Sequence, residues 1–145
     1  MSKGYDHHAI ETKWQKRWDE KGAFRAAMDP GRPKYYLLEM LPSPSGTLHM
    51  GHMRNYTIGD CVARFKRMQG FNVYYPQGWD TQGFPTEVKV EKKFGKLPPA
   101  EFRAKCVEWT GEFIARMKSQ MQQMGFSPDW RHQYRTMEPE YHRKV

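Results

Sequence analysis

Residues 34–76, KYYLLEMLPSPSGTLHMGHMRNYTIGDCVARFKRMQGFNVYYP, decide the fold. Residues 34–40 are aromatic and branched apolar with one carboxylate, Glu39, and Pro42 stops them. That composition predicts a short buried strand. From Leu48 to Gln69 the residues Met53, Tyr56, Cys61, Phe65 and Met68 recur at roughly helical spacing, and Gly70 supplies a stop. They predict a helix of about six turns with those residues on one apolar face. FNVYYP, again short, aromatic and closed by proline, predicts a second strand. Strand, helix and strand in that order make a crossover unit whose strands are parallel and right-handed, so the fold class is α/β.

Outward from this unit the chain is simple. Upstream, Ile10, Trp14 and Trp18 stand four apart and predict a short amphipathic helix over 8–21. AAMDPGRPK then breaks the pattern with Asp29, Pro30, Gly31 and Pro33, a connector. Downstream, Phe102, Cys106, Trp109, Phe113, Met117, Met121 and Met124 step by three or four through a long helix ended by Gly125. This methionine-rich stripe is expected to pack against the sheet. The length of 145 residues suits one compact unit, and a formal net charge of +8 favours an anionic partner such as nucleotide or nucleic acid. The two cysteines, Cys61 and Cys106, lie far apart without disulfide or zinc spacing, which fits a reducing, cytoplasmic setting. No apolar run approaches the ~20 residues of a membrane span, and the polar start lacks a signal peptide's apolar stretch, so a soluble, unexported protein without a membrane partner is expected.

In an open parallel sheet, ligands bind beyond the carboxyl ends of the strands, and LPSPSGT is the loop leaving the first strand there. Amides at the start of the following helix are unsatisfied and carry partial positive charge, which suits a phosphate. His49 and His52 share one face of the first turn and can both reach it. Gly51 removes a side chain where a base or ribose could press on the backbone, and Pro42 and Pro44 stiffen the approach. The stretch therefore reads as a preorganised nucleotide site. Taken alone, H-x-x-H with a glycine arises more often by chance or as a solvated surface pair than as a site. A metal is not expected, because the pair lacks a third ligand and His7, His8, His132 and His142 have no supporting spacing. Neither a P-loop nor G-x-G-x-x-G is present.

A second cluster, PQGWDTQGFPTE over 76–87, follows the second strand at the same edge. Gly78, Gly83, Asp80 and, beyond Pro85, Glu87 would set carboxylates opposite the basic phosphate site, with Asp80 able to hold an ammonium group. Alone, the cluster reads first as an ordinary acidic turn with Trp79 filling the core.

Together, PSPSGTLHMGH, RNYTIGDCVARFKRMQGFNV and GWDTQGFPTE resemble the catalytic domain of class I aminoacyl-tRNA synthetases, in the subgroup for leucine, isoleucine and valine. The family's H-I-G-H signature stands here as His49-Met50-Gly51-His52, and its G-W-D-x-x-G-[LF]-P-x-E segment matches Gly78, Trp79, Asp80, Gly83, Phe84, Pro85 and Glu87. The resemblance implies a Rossmann-like nucleotide-binding domain of which residues 35–145 are the first half, preceded by a helix and connector over 1–34. It implies ATP and Mg2+, with Pro44, Ser45, His49, Gly51, His52 and Asn55 at the nucleotide. Met40, Leu41, Pro42, Ser43 and Asp80 would meet the amino acid. His49 and His52 would be the catalytic donors in forming an aminoacyl-adenylate from a branched aliphatic amino acid before its transfer to tRNA.

MLPSPSGTLHMGHMRNYTIGD is most similar to leucine enzymes, although Ser43 stands where they usually carry tyrosine. GWDTQGFPTEVKVEKKFG and GFSPDWRHQYRTMEPEY look more like the valine and isoleucine enzymes. Leucine is favoured, with valine and isoleucine open. The family's lysine-rich loop has no counterpart after Pro128, so the chain reads as half a catalytic domain, either a piece of a longer enzyme or a minimal unit completed by a missing C-terminal half. A non-catalytic nucleotide- or tRNA-binding module stays open as well. Half a sheet should leave an open edge and an exposed apolar face.

Overall fold

The computed structural model describes residues 4–145. In chain order the elements are α1 (His7–Lys21), β1 (Lys34–Tyr36), α2 (Met50–Met68), β2 (Asn72–Tyr74) and β3 (Gln77–Trp79), followed by α3 (Phe84–Phe94), α4 (Pro99–Gln123), β4 (Gln133–Arg135) and α5 (Pro139–His142). The predicted crossover is present: β1 and β2 pair in parallel, Tyr35 opposite Val73, with α2 between them in sequence. Leu37 N–H still bonds to Tyr74 O at 2.9 Å, one residue beyond β1. Gly70, at φ 87°, ends α2 as expected by donating to Arg67 O. Among the described residues no helix is long and apolar enough to cross a membrane.

Three expectations need correction. The strand predicted over 34–40 is shorter and covered on one side only. Leu37 is buried while Tyr36, Leu38 and Met40 are each more than half exposed. Alternate residues of an extended chain point to opposite faces, and α2 covers just one, where Leu37, Val73 and Tyr75 pack on Ala63. Of the residues predicted for the apolar face of α2, Tyr56 alone is buried. The helix's buried residues are Tyr56, Gly59, Asp60 and Ala63, whereas Met53, Cys61, Phe65 and Met68 are exposed. A buried aspartate among them is tolerated because Asp60 accepts from Ser127 N, from Ser127 Oγ and from Arg64 Nε at 2.7 Å.

The third correction concerns the segment read as a loop after the second strand. Gln77–Trp79 is itself a strand, wholly buried, and pairs in parallel with Gln133–Arg135 of the charged tail. Gly83 and Pro85 then start a helix: Pro85 occupies the first turn of α3, where its missing N–H costs nothing, and Glu87 sits near the positive helix end. The long helix expected to end at Gly125 is α4. Its Met117 and Met121 pack with Trp79 and Tyr56, so it covers the second small sheet and α2, while Met124 is 38% exposed.

α1 lies against the end of α4. Gln15 Nε2 donates to Gln123 O at 2.8 Å, and a Cβ on Gly125 would stand 3.4 Å from the Trp18 ring. The Arg64 guanidinium lies 5.1 Å over Trp18 and 5.0 Å over Phe24, which couples α1 and its connector to α2.

Candidate active site

The loop 41–48 leaves β1 and delivers His49 as the N-cap of α2. His52 Nδ1 accepts from His49 N–H at 3.2 Å, and His49 Nδ1 accepts from Gly51 N–H at 3.1 Å, a reciprocal capping box built from imidazoles. The ring centroids are 3.8 Å apart. The sequence placed these helix amides on a phosphate; two of them are instead taken by the histidines.

The consequence lies in the tautomers. A neutral imidazole whose Nδ1 accepts carries its proton on Nε2, so both rings turn an N–H donor away from the helix end. No other described group accepts from either Nε2–H. Burial lowers the His52 pKa from its ordinary 6.5, and the neighbouring His49 adds to the shift. His52 is therefore neutral at pH 7, a donor and not a cation. Between its folded and ordinary pKa values the unfolded chain binds more protons, so His52's contribution to stability is lost as pH falls from 6.5 through the folded value. By NMR its Cε1 proton should titrate with a midpoint below 6.5; a midpoint at or above 6.5 would refute the burial.

The remaining predicted residues fall into three groups. The first joins the two clusters. Asp80 N–H donates to Pro42 O at 3.0 Å, fixing the exposed Asp80 carboxylate beside the loop, and Thr136 Oγ1 approaches Asp80 Oδ1 at 3.5 Å. Leu41 packs over Gly78, where a Cβ would come within 2.6 Å of Leu41 and 2.5 Å of Tyr134. Met40 offers its carbonyl to Tyr56 Oη at 2.9 Å. Pro42 and Pro44 are fully buried core pieces as well as stiff links, and Ser43 and Ser45 are half-buried.

The second group is differently engaged than the sequence suggested. Asn55 turns its amide to Glu39, at 3.4 Å. Gly51 makes room first of all for the His49 ring, 2.9 Å from where its Cβ would stand. Trp79 is core, packed with Tyr56 and Met117. The third group stands apart: Gly83 and Pro85 start α3, and Glu87 lines a separate cavity of about 320 Å3 with Arg103 and Cys106 of α4.

Sequence reasoning passed over several residues that build this site. Tyr56 stacks on His52 at 6.0 Å and 6°, a contact its i+4 spacing could have signalled. Glu39 lies against Gly59, where any Cβ would overlap its carboxylate, and burial with the nearby Asp60 charge raises its pKa. Trp109 and Gln120 of α4 bond to the loop at Ser45 O and Leu48 N. A wide cleft of about 1250 Å3 opens between α1, α2 and α4 with His49 in its wall. It includes neither His52 nor Asp80, so it is not the space between the two predicted clusters.

Comparisons with known proteins agree with this geometry. The family model for class I tRNA synthetases (I, L, M and V) matches residues 13–145. A leucine–tRNA ligase of Nitratidesulfovibrio vulgaris is 50% identical over 139 residues, covering 96% of this chain and 16% of the relative. A valine–tRNA ligase of Methanothermobacter thermautotrophicus is 49% identical over 143 residues, 96% of this chain and 16% of that protein. The LeuRS of Agrobacterium radiobacter, solved as a ternary complex with tRNA and LeuAMS, superposes with a TM-score of 0.81 at 39% identity over 94% of this chain and 16% of its own. The chain thus spans about one sixth of the length of the relatives it matches. With His49 and His52 capping α2 and Asp80 bonded to the loop that leads to them, on a parallel α/β frame, the chain belongs to the class I tRNA synthetases of the isoleucine, leucine, methionine and valine group.

Proposed function

We propose that this chain carries the first half of the active site of a cytoplasmic aminoacyl-tRNA ligase that activates leucine with ATP and passes it to tRNA. The observation that carries the reading is the Asp80–Pro42 backbone bond, which holds an exposed carboxylate beside the loop that ends in two Nε2–H donors. Asp80 would take the substrate ammonium, and Met40, Leu41, Pro42 and Ser43 would border its side chain. His49 and His52 would donate to phosphate oxygens, with Pro44, Ser45, Gly51 and Asn55 along the nucleotide.

In the reaction, an amino-acid carboxylate oxygen bonds to the α-phosphorus of ATP while the bond to the β-phosphate bridge breaks and pyrophosphate leaves. No protein nucleophile is needed. Catalysis rests on positioning and on donors aimed at the charge that develops on phosphate. Magnesium would enter with ATP and offset phosphate charge; among the described residues no trio of His, Cys, Asp or Glu is grouped to hold it.

Relatives for leucine stand at 50% identity and relatives for valine at 49%, so valine is the second reading, and isoleucine differs from either by a methylene or its placement. Amino-acid-dependent exchange of pyrophosphate into ATP, run with leucine, valine and isoleucine, tests the proposal. Exchange with leucine is the expected result, and exchange with valine or isoleucine alone would reassign the substrate. Silence with all three from folded protein that still binds ATP would make the chain a binding fragment whose chemistry needs the missing half.

A further inference from the structure

We propose that α4 positions the nucleotide loop, with Gln120 and Trp109 as the positioning residues. This rests on the reading of residues 44–52 as the nucleotide loop. Leu48 N–H donates to Gln120 Oε1 at 3.1 Å, and Trp109 Nε1–H donates to Ser45 O at 3.3 Å. Trp109 and Gln120 stand about three turns apart, on the same side of one helix. Between them the loop 45–48 is held at both ends by groups that cannot shift independently.

The hold continues into the histidine pair. Leu48 N–H is taken by Gln120, His49 N–H by His52 Nδ1, and Gly51 N–H by His49 Nδ1. With these amides engaged, His49 N–H sets the direction of the His52 ring and Gly51 N–H that of the His49 ring. The anchor does not move easily, because Met117 and Met121 are buried in one cluster with Trp79 and Tyr56, against which Leu48 of the loop packs. Tyr56 in turn stacks on His52. Helix α4 thereby connects the histidine end of α2 with the Asp80 end of β3 through a single rigid element, although it supplies no group to either cluster.

The test uses Gln120→Met, which keeps length and helix propensity but removes the strong acceptor, and Gln120→Glu, which keeps an acceptor oxygen. Amide hydrogen exchange is read at Leu48 and His49, with Ala63, inside α2, reporting global opening. ATP affinity is measured by calorimetry on the parent and Gln120→Met. Losing one hydrogen bond of ordinary net strength corresponds to ~10-fold. Gln120→Met should therefore speed Leu48 exchange ~10-fold and weaken ATP binding by a similar factor while Ala63 stays protected, and Gln120→Glu should restore Leu48 protection. Trp109→Phe should loosen the loop at its other end by a smaller factor.

Unchanged Leu48 exchange in Gln120→Met would overturn the inference. So would Gln120→Glu exchanging as fast as Gln120→Met, which would make the effect one of packing. A change in exchange and none in ATP affinity would show a clamp that does not serve the ligand, against the proposal. If the parent binds no ATP while Leu48 responds as described, the nucleotide reading fails and the clamp stands.

Discussion

Replacing His52 by alanine should slow amino-acid-dependent pyrophosphate exchange by ~100-fold or more, the loss seen when one donor to a transition state is removed. Two effects combine in this variant and differ in size. His49 N–H loses its acceptor, and a helix cap of this kind is worth ~1 kcal/mol, which would shift the melting temperature by a few degrees. The Nε2–H donor also disappears, and ~100-fold in rate is about 2.7 kcal/mol of barrier. If capping were the whole role of the pair, rate would fall only as far as folded protein is lost. The comparison is exchange rate against melting temperature, and a rate within ~3-fold of the parent in folded His52→Ala would remove His52 from the chemistry.

Asp129→Asn should produce the largest loss of stability, about 3 kcal/mol, from the breaking of a buried hydrogen-bonded charge. Asp129 is 2% exposed and gathers donors from three residues in two parts of the chain. It accepts from Ala26 N of the connector at 3.0 Å, from Arg131 Nε and Nη2 at 2.9 and 2.7 Å, and faces His132 Nδ1 at 3.1 Å. Its own N–H donates to Tyr75 O. Burial pushes the carboxyl pKa up, but the donors of Arg131, Ala26 and His132 outweigh it and hold the pKa well below the usual range. The stability it contributes is present above its ordinary 3.8 and is lost as pH falls through the folded value. The Arg131 side chain is half exposed, so solvent screens part of its share. An asparagine amide would turn N–H groups toward donors, so melting should drop by roughly 6–12 °C and the acid dependence should weaken. A shift under ~2 °C would show that the donors find other partners.

The site was legible in proportion to how local its chemistry is. The histidine pair three residues apart and the glycine at position 51 are set by helix geometry, and they stand together as read. The use of the helix amides was misread, because the imidazoles compete for them and nothing in H-x-x-H shows which acceptor wins. Tyr56 could have been found from its spacing to His52. Gln120 could not, since the amide it binds lies far back in the chain and the surrounding α4 pattern speaks only of packing.

For the fold, the sequence by itself determined the crossover: two short apolar runs closed by proline, with a helix between them that stops at Gly70, allow little but a parallel pair. It determined α1 and α4 too, whose length lets periodicity accumulate. Only the tertiary structure decided which face of α2 is inside. Asp60 and Gly59 are buried there because Ser127 and Arg64 satisfy the carboxylate and Glu39 fills the space beside the glycine, none of which hydrophobicity can register. It also decided that Gln77–Trp79 is a strand, since three residues with a glycine have no periodicity and become extended only when Gln133–Arg135 arrives to bond with them. Patterns in sequence report burial by apolar side chains; burial by hydrogen-bonded polar groups depends on a partner that only folding brings near.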